Sequence, residues 1–372
     1  MQLSELNLNE NPFRIGPPIL KQEIFWVGFS GLQGKIDQRI NFAINFSPSR
    51  IVLNWGRYGS GKTHAANYYT RIRSNEIATA RKLPLVKSIK LILPRTSKDP
   101  VQSLLRNFFG QISLKQIKED FNQLTTFLDS SEIVEIIESV SNDNVITEVY
   151  KKIITGEDAD INLLESYLFG DSTKTVLSAL GLPSGLKDDE QIVNFLSTYV
   201  TCITYNKLLY SSFVMWLDEF EDIDTLNKIS QDRFTTFLRQ FFDKTPNNFL
   251  LFLNFTPKTF YNIEDLSLTL GEALTTRAKL QISFDPPNME EAKTYILELL
   301  NNVIFRNSSQ GFHPFSEDAV EYILRNIGVL SVRKINEVFS IVLEMALSAD
   351  KTLIDAVFID SIKSEIVSWE GF

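Results

Sequence analysis

The chain has only one cysteine and two histidines, and these small numbers exclude two kinds of protein. Cys202 has no partner for an intramolecular disulfide, so a scaffold held together by disulfides is excluded. A single cysteine is typical of a reducing compartment. His64 and His313 do not combine with Cys202 in any spacing of a metal-ligand motif, so a zinc site of the histidine–cysteine type is not expected.

Basic residues are also in short supply. The 37 lysine and arginine residues are outnumbered by 46 aspartate and glutamate residues, which gives a net charge of −9 and a pI of about 5.0. A protein that holds nucleic acid mainly through bulk charge is basic, so the composition disfavours that class. A local basic strip remains compatible with these totals.

Long apolar runs are absent as well. No run reaches the roughly 18 residues that an apolar helix needs to span a bilayer. The N-terminal segment MQLSELNLNENPF lacks the basic and then apolar pattern of a secretory signal. We therefore expect a cytoplasmic protein without a membrane partner.

Apolar and aromatic side chains, in contrast, are abundant. A length of 372 residues predicts two to three domains. Hydrophobic residues make up 44 % of the chain, and they include 28 Phe, 11 Tyr and 4 Trp. So many apolar rings exclude disorder as the main state of the chain. The composition indicates a globular protein with a large core.

Short runs rich in β-branched and aromatic residues predict five strands. Their ranges are 47–55, 85–94, 211–217, 249–255 and 280–284. Helical patterns lie between the strands, at about 62–74 and 235–243 among others. Strands that alternate with helices predict an α/β fold with a mostly parallel, doubly wound sheet.

Two further regions have helical spacing, one between the second and third strands and one after the last strand, and they set the expected domain boundaries. The stretch at about 100–206 separates the second strand from the third and is interpreted as an insertion. Pro286-Pro287 ends the sheet region because neither residue can donate to a ladder. Helical patterns follow at about 288–305, 316–327, 331–348 and 353–368. We expect a polar, extended arm at 1–23 and a division of the chain into 1–46, 47–286 and 287–372.

The sharpest motif is a glycine-rich segment that follows the first strand. It consists of Gly56, Arg57, Tyr58, Gly59, Ser60, Gly61, Lys62 and Thr63, which match G-x-x-x-x-G-K-[ST] in full. Its glycines let successive N–H groups point at one anion, and the next helix begins with about half a positive charge. Lys62 can reach the β- and γ-phosphates of a nucleotide, and the Thr63 hydroxyl can bind Mg²⁺. The alternative is a chance glycine-rich turn.

Two acids end the third strand. Asp218 and Glu219 follow the apolar run FVMWL, which predicts that they lie at the carboxyl edge of the sheet, where ligands of α/β proteins bind. Asp218 can then be a Mg²⁺ ligand, and Glu219 can polarise the attacking water. For the acids that follow, Glu221, Asp222 and Asp224, we favour a solvated acidic face.

These motifs resemble those of the AAA+ P-loop ATPases, in particular the origin-recognition-like clade. The chain is also similar to ATP-binding proteins of bacterial phage-defence and transposition loci. The resemblance rests on the glycine-rich segment, the acid pair, the strand FLLFLNF, the TTR motif at 275–277 and the final helices, and it covers roughly 11–75 and 200–350. It implies a P-loop AAA+ core with a parallel sheet, a large helical insertion, a C-terminal helical lid, and ATP and Mg²⁺ as cofactors.

The resemblance also implies roles for three residues outside the glycine-rich segment. Asn254 stands where the family has a polar sensor of the γ-phosphate, with Thr256 as second choice and a strand-ending turn residue as the alternative. Arg277 stands at the place of the arginine finger, which acts in a neighbouring subunit. A surface arginine is the alternative, and Lys279 is the nearby competitor. Arg333 is similar to the lid's second sensor, although Gly328 is two residues further upstream than usual.

The segment before the first strand resembles the part of the family that surrounds the adenine. It contains Asn11-Pro12-Phe13 and Phe25-Trp26-Val27-Gly28, so Val27 is a candidate nucleotide contact, with core packing as the alternative. Phe29 replaces the charged residue usual after the glycine. His64 follows the glycine-rich segment and is a further candidate contact, again with packing as the alternative.

The resemblance finally implies an activity and a set of partners. We expect an ATPase that forms a homo-oligomer and couples ATP turnover to remodelling or loading on DNA or on a DNA-processing protein, in phage defence, transposition or replication. The alternative is a nucleotide-gated adaptor that assembles a protein effector, with slow hydrolysis as a reset. The acidic composition favours this alternative, because it supplies no evident electrostatic hold on DNA.

Overall fold

A computed structural model of the protein describes most of the chain. The described residues are 2–16, 24–93, 95, 99–170, 173–186, 188–257 and 270–366. Within them, no helix is both long enough and apolar enough to cross a membrane.

The five predicted strands are present and form a single sheet. They are β1 Arg50–Gly56, β2 Val86–Ile92, β3 Ser212–Asp218, β4 Phe249–Phe255 and β5 Leu280–Phe284. The order across the sheet is β2-β3-β4-β1-β5, and the pairs β2–β3, β3–β4 and β4–β1 are parallel. Every residue of β3 and β4 is buried, which explains why both strands are almost continuously apolar in sequence.

Helices α1 to α3 and α11 to α12 are close to the strands in sequence. They are α1 Ser30–Asn45, α2 Lys62–Tyr68, α3 Ser74–Ala80, α11 Lys228–Lys244 and α12 Glu272–Thr275. A π-helical turn separates α2 from α3 within the stretch that we predicted as one helix. Helix α1 was not predicted, although its buried Ile36, Ile40 and Ile44 have helical spacing.

In the predicted insertion, the residues that the structure describes form seven α-helices between β2 and β3. They are α4 Pro100–Gln111, α5 Leu114–Leu124, α6 Ser130–Ser141, α7 Asn144–Thr155, α8 Asp158–Leu168, α9 Lys174–Leu180 and α10 Asp189–Ile203. Polar residues satisfy the free N–H groups at several helix starts: Asp143, for example, accepts from Val145 and Ile146. Asn142 and Gly181 end α6 and α9 in the left-handed conformation.

The helices that follow the sheet are α13 Met289–Leu300, α14 Glu317–Asn326, α15 Val332–Ser348 and α16 Ala356–Ile362. The chain divides into two compact units. One unit combines Met1–Lys35, Gly56–Tyr68 and Ser283–Phe372, and the other combines Ile36–Trp55 and Tyr69–Ile282. The division into 1–46, 47–286 and 287–372 stays a prediction.

The expectation of an extended N-terminal arm is wrong for the described part of that segment. Residues Leu3–Leu6 form a 3₁₀-helix, and Leu6, Leu8 and Phe13 are buried in the core of the first unit. The Phe13 ring centroid lies 5.0 Å from that of Phe339. The apolar residues of the segment do not recur at a regular interval, so this packing could not be predicted from the sequence.

Candidate functional site

The glycine-rich segment joins the end of β1 to the start of α2. Gly59 has φ of 76° and Gly61 has φ of 96°, which are left-handed conformations that glycine adopts without strain. A Cβ atom at Gly59 would also lie 2.7 Å from Cβ of Arg333. The second glycine of the motif therefore meets two requirements, a positive φ and a close neighbour, that the motif alone does not show.

Lys62 lies inside this turn. Its Nζ donates to the carbonyl oxygen of Gly56 at 2.6 Å and to that of Arg57 at 3.1 Å. The side chain is buried although it carries a charge, and carbonyl oxygens hold it in the turn whose backbone N–H groups the motif would offer to a phosphate. Ser60 Oγ is 3.5 Å from the same Nζ. Thr63 is half-buried at the start of α2.

Arg333, at the start of α15, contacts the same turn. Its Nη1 donates to the Tyr58 hydroxyl at 2.6 Å, and its guanidinium carbon lies 4.9 Å from the centre of the Tyr58 ring. Its backbone N–H donates to the Gly59 carbonyl. A hydrogen bond from Arg333 to Glu337 raises the pKa of Arg333. Within the first unit, the predicted lid sensor is therefore in contact with the apex of the phosphate-loop motif.

His64 and Val27 belong to a part of the same unit that packs around the start of α2. His64 Nε2 lies 2.8 Å from the Phe25 carbonyl oxygen, so Nε2 carries the hydrogen and donates to it. Burial lowers the pKa of His64, and the hydrogen bond to Phe25 opposes that shift. Val27 is half-buried and packs against the core of the unit. For both residues packing is now documented, and contact with a nucleotide stays a prediction.

The second unit contains the predicted metal-binding acid in a buried polar row. Asp218 is 3 % exposed at the end of β3, and Asn254 of β4 is fully buried. Asn254 Nδ2 donates to Asp218 Oδ1 at 2.9 Å, and Asn254 Oδ1 accepts from Asn54 Nδ2 at 2.8 Å. The parallel register of β1 and β4 pairs Asn54 directly with Asn254. Asn54 was not singled out from sequence, although it is an amide within the apolar run IVLNW.

Glu219 adopts a different conformation from the acid that precedes it. Its φ of 55° is left-handed, which is uncommon for a residue with a side chain and turns the chain sharply after β3. Its Oε2 accepts from Arg95 Nη2 at 3.1 Å. Burial raises the pKa of Glu219, the Arg95 charge opposes this, and the neighbouring acids reinforce it. A carboxyl group with a raised pKa is suited to accept a proton from water near neutral pH.

Arg95 was not identified from sequence, and it also bonds to Asp222. Its Nε donates to Asp222 Oδ2. Asp222 is buried, so the expected solvated acidic face is wrong for this residue. Glu221 accepts a hydrogen bond from the backbone N–H of Thr256 at 3.1 Å, which ties the second-choice sensor to the turn after β3. The acids after Glu219 therefore stabilise the end of β3 as well as contributing charge.

Lys90 of β2 belongs to the same electrostatic environment. Burial lowers the pKa of Lys90, and the charge of Arg71 lowers it further. The charges of Asp218 and Glu219 oppose that shift. The negative charge of the acid pair is therefore partly balanced by a cation on the neighbouring strand.

Arg277, the predicted arginine finger, is paired within its own unit. Its Nε lies 2.7 Å from Asp243 Oδ1, and its Nη2 donates to Asp243 Oδ2 at 2.9 Å. This two-point contact fixes the guanidinium plane against the C-terminal part of α11. Lys279, the competitor for this role, is exposed. Arg277 would have to leave Asp243 before it could contact a bound nucleotide.

Metal binding by this chain would depend on few protein ligands. Among the described residues, no three His, Cys, Asp or Glu side chains are grouped so that they could hold a metal ion. Mg²⁺ commonly takes one or two protein oxygen atoms together with substrate phosphates and waters. A threonine hydroxyl and an aspartate carboxylate, as predicted for Thr63 and Asp218, fit that chemistry.

Comparisons with solved structures relate the fold to known proteins. The Aeropyrum pernix ORC2 protein, solved as ADPNP–ADP complexes, is 12 % identical, with a TM-score of 0.54 over 96 % of this chain and 72 % of that chain. The Aeropyrum pernix ORC1 protein in complex with DNA is 13 % identical, with a TM-score of 0.47 over 93 % and 68 %. The Thermotoga maritima RuvB Holliday junction branch migration motor is 13 % identical, with a TM-score of 0.43 over 96 % and 76 %.

No protein-family profile matches the chain, and no curated protein matches it in sequence. At identities this low, a structural likeness concerns the fold alone. The expected fold class is confirmed: an α/β P-loop core of the AAA+ type, with a parallel sheet, a large helical insertion and helices after the sheet. The similarity to origin-recognition proteins is supported at the level of fold, and the similarity to phage-defence and transposition proteins stays a prediction.

Proposed function

We propose that the protein binds ATP with Mg²⁺ and hydrolyses the bond between its β- and γ-phosphates. The observation that carries this proposal is the complete glycine-rich motif between β1 and α2, with the Lys62 ammonium held inside its turn. A buried strand that ends at Asp218 and is followed directly by Glu219 supports it. The solved ADPNP–ADP complexes of the ORC2 protein, which has the same fold, support it further.

The proposed reaction assigns a separate task to each side chain. Lys62 and the N–H groups of the turn bind the phosphate oxygens, and Glu219 accepts a proton from the attacking water. The water oxygen bonds to the γ-phosphorus as the bond to the bridging oxygen breaks, which releases ADP and phosphate. Bound through Thr63 and Asp218, Mg²⁺ would neutralise charge that develops on the phosphate oxygens.

The contacts of the acid and amide side chains indicate which groups must rearrange. Glu219 is paired with Arg95, so it must turn away from that guanidinium to act as a base. Asn254, in contrast, already donates to Asp218, so we propose that it senses the γ-phosphate without leaving that bond. Arg277 and Arg333 each have a carboxylate partner, and we propose that both exchange it for phosphate oxygens.

The proposed role of the protein depends on whether Arg277 acts in a neighbouring subunit. With Arg277 acting in a neighbouring subunit, the active form would be a homo-oligomer that couples turnover to work on DNA or on a DNA-processing protein, in defence, transposition or replication. The second candidate function is a nucleotide-gated adaptor for a protein effector in the cytoplasm, which the net charge of −9 favours.

The first experiment measures nucleotide affinity and ATP hydrolysis in the wild type, in two site variants and in one control variant. Glu219→Gln should lower turnover at least about 100-fold because the base is lost, while ATP affinity stays close to that of the wild type. Lys62→Ala should lose affinity itself. Glu119→Gln, which changes an exposed acid on α5, is the matched control and should hydrolyse normally. Undiminished hydrolysis by Glu219→Gln would contradict the assigned base, and a wild type without nucleotide affinity would contradict the function.

A second experiment separates the two candidate roles. The ATPase rate is measured with and without duplex DNA at two salt concentrations, because contacts to phosphates weaken as salt rises. Stimulation that fades at high salt supports work on DNA, and a rate indifferent to DNA supports the adaptor. Measurement of molecular size with and without a non-hydrolysable ATP analogue tests the oligomer.

A further inference from the structure

Asn54 is an unusual residue for its position. It lies in β1, two residues before Gly56, and it is fully buried between apolar neighbours. Its Nδ2 donates to Asn254 at 2.8 Å. Its Oδ1 is buried and has no hydrogen-bond partner among the residues that the structure describes. An unpaired buried oxygen destabilises a fold, so an apolar side chain would suit this strand better.

The hydrogen bond that Asn54 donates determines how the next amide is oriented. Asn254 Oδ1 accepts from Asn54, and this places Asn254 Nδ2 toward Asp218. The two bonds hold the amide of Asn254 from both sides, so its plane and its direction are fixed. The hydrogen bond from Asn254 Nδ2 in turn fixes Oδ1 of the Asp218 carboxylate. Because Oδ1 is fixed, the direction in which Oδ2 points is restricted as well.

We propose that Asn54 is a positioning residue that acts through Asn254 on the carboxylate of Asp218. This inference rests on the proposed function and deepens it, because it assigns to β1 a part in orienting the proposed Mg²⁺ ligand. Partners that orient a metal ligand commonly change metal affinity or activity about 10- to 100-fold when they are lost. Asn54 does not contact the reacting atoms in this proposal.

The test uses Asn54→Leu, which keeps the branching and the number of heavy atoms of the side chain and removes its donor. Affinity for a non-hydrolysable ATP analogue is measured with and without Mg²⁺ in the full-length protein. We expect the affinity without Mg²⁺ to stay within about twofold of the wild type, and the gain in affinity from Mg²⁺ to fall about tenfold. A residue that only stabilises the fold would change both affinities together.

Hydrolysis rates provide an independent measurement through a double-mutant cycle with Asn254→Leu. If Asn54 acts only through Asn254, the double variant should have the same kcat as Asn254→Leu alone, because the second change removes nothing further. Asn194→Leu is the matched control: it removes another buried amide of the same unit, on α10. The factor by which Asn194→Leu changes kcat should be the same in the wild type and in the Asn254→Leu background. Asn54→Ala, with the same expected pattern, replaces the leucine variant if that variant does not fold.

The outcomes separate this inference from the proposed function. Affinities of Asn54→Leu that fall equally with and without Mg²⁺, or a loss of kcat that persists in the Asn254→Leu background, would overturn the inference while ATP hydrolysis stands. A wild type that neither binds nor hydrolyses ATP would overturn both.

Discussion

The glycine-rich turn and the end of β3 at Asp218 are held in place by different kinds of contact. Tyr58, which holds Arg333 at the turn, is 71 % exposed. Asp218 is held by Asn254 in a row of buried amides. Hydrogen bonds and ion pairs between exposed groups contribute little and exchange readily, whereas buried polar groups left without a partner are costly. The turn can therefore change partners, while the end of β3 that carries the proposed metal ligand is fixed before any ligand arrives.

The same difference occurs between two adjacent residues. Asp218 ends a strand with a buried carboxylate, and Glu219 reverses the chain direction with a left-handed backbone. The Glu219 carboxylate is partly exposed and faces Arg95, which it can leave. A fixed residue that is the proposed metal ligand, followed by a movable residue that is the proposed base, is an arrangement in which a proton acceptor can be withheld until the substrate is in place.

Asn254→Ala should give the largest loss of stability. It leaves Asn54 Nδ2 and Asp218 Oδ1 without their present partner. We expect the free energy of unfolding to fall by about 1–3 kcal/mol, measured by urea denaturation. Asn162→Ala, at an exposed position of α8, should stay within about 0.5 kcal/mol of the wild type. Equal effects of the two substitutions would show that the buried row contributes no special stability.

Arg95→Ala should shift the pH dependence of hydrolysis. The Arg95 charge lowers the pKa of Glu219 against the larger effect of burial, so its removal raises that pKa further. Glu219 acts as a base only when it is deprotonated. The acidic limb of the kcat/KM profile should therefore move to higher pH, and activity should be lost earlier as the pH falls. Arg325→Ala removes an exposed pair on α14 and should leave the limb in place. An unshifted limb in Arg95→Ala would contradict the pairing.

Tyr58→Phe should have the smallest effect. It removes the hydroxyl that accepts from Arg333 and keeps the ring beneath the guanidinium. Because the contact is exposed, ATP affinity should change less than about fivefold. Arg333→Ala, measured in parallel, should change it more, since it also removes the proposed contact to the γ-phosphate. A large loss in Tyr58→Phe would show that the turn is as rigidly held as the end of β3 at Asp218.

Local patterns were sufficient for much of the fold. The strands β4 and β5 have the predicted bounds because a buried parallel strand is a compact apolar run between turn residues. The glycine-rich motif and the two acids were recognised because their chemistry requires particular residues at a fixed spacing. The bounds of α11 were predicted too short, because its first turns from Lys228 are mostly polar and their Ile229 is exposed, so they show no apolar periodicity.

The contacts that the sequence did not reveal all join residues distant in the chain. Arg95 meets Glu219 only because β2 lies beside β3. Asn54 meets Asn254 only because β1 pairs with β4 in this register. The left-handed backbone of Glu219 is imposed by its surroundings, since nothing in its residue type favours that conformation. A single sequence does not contain the pairing of its strands, so these partners became visible in three dimensions alone.

The packing of the first residues limits how this protein can be cut. Phe13 contacts Phe315 and Phe339, so the compact unit that holds the glycine-rich turn is assembled from three separate stretches of chain. A fragment that begins after residue 16 would expose those rings to water, and no single contiguous fragment contains the unit by itself. Dissection by truncation will therefore damage the unit that holds the glycine-rich turn first, and point substitutions are the safer tool.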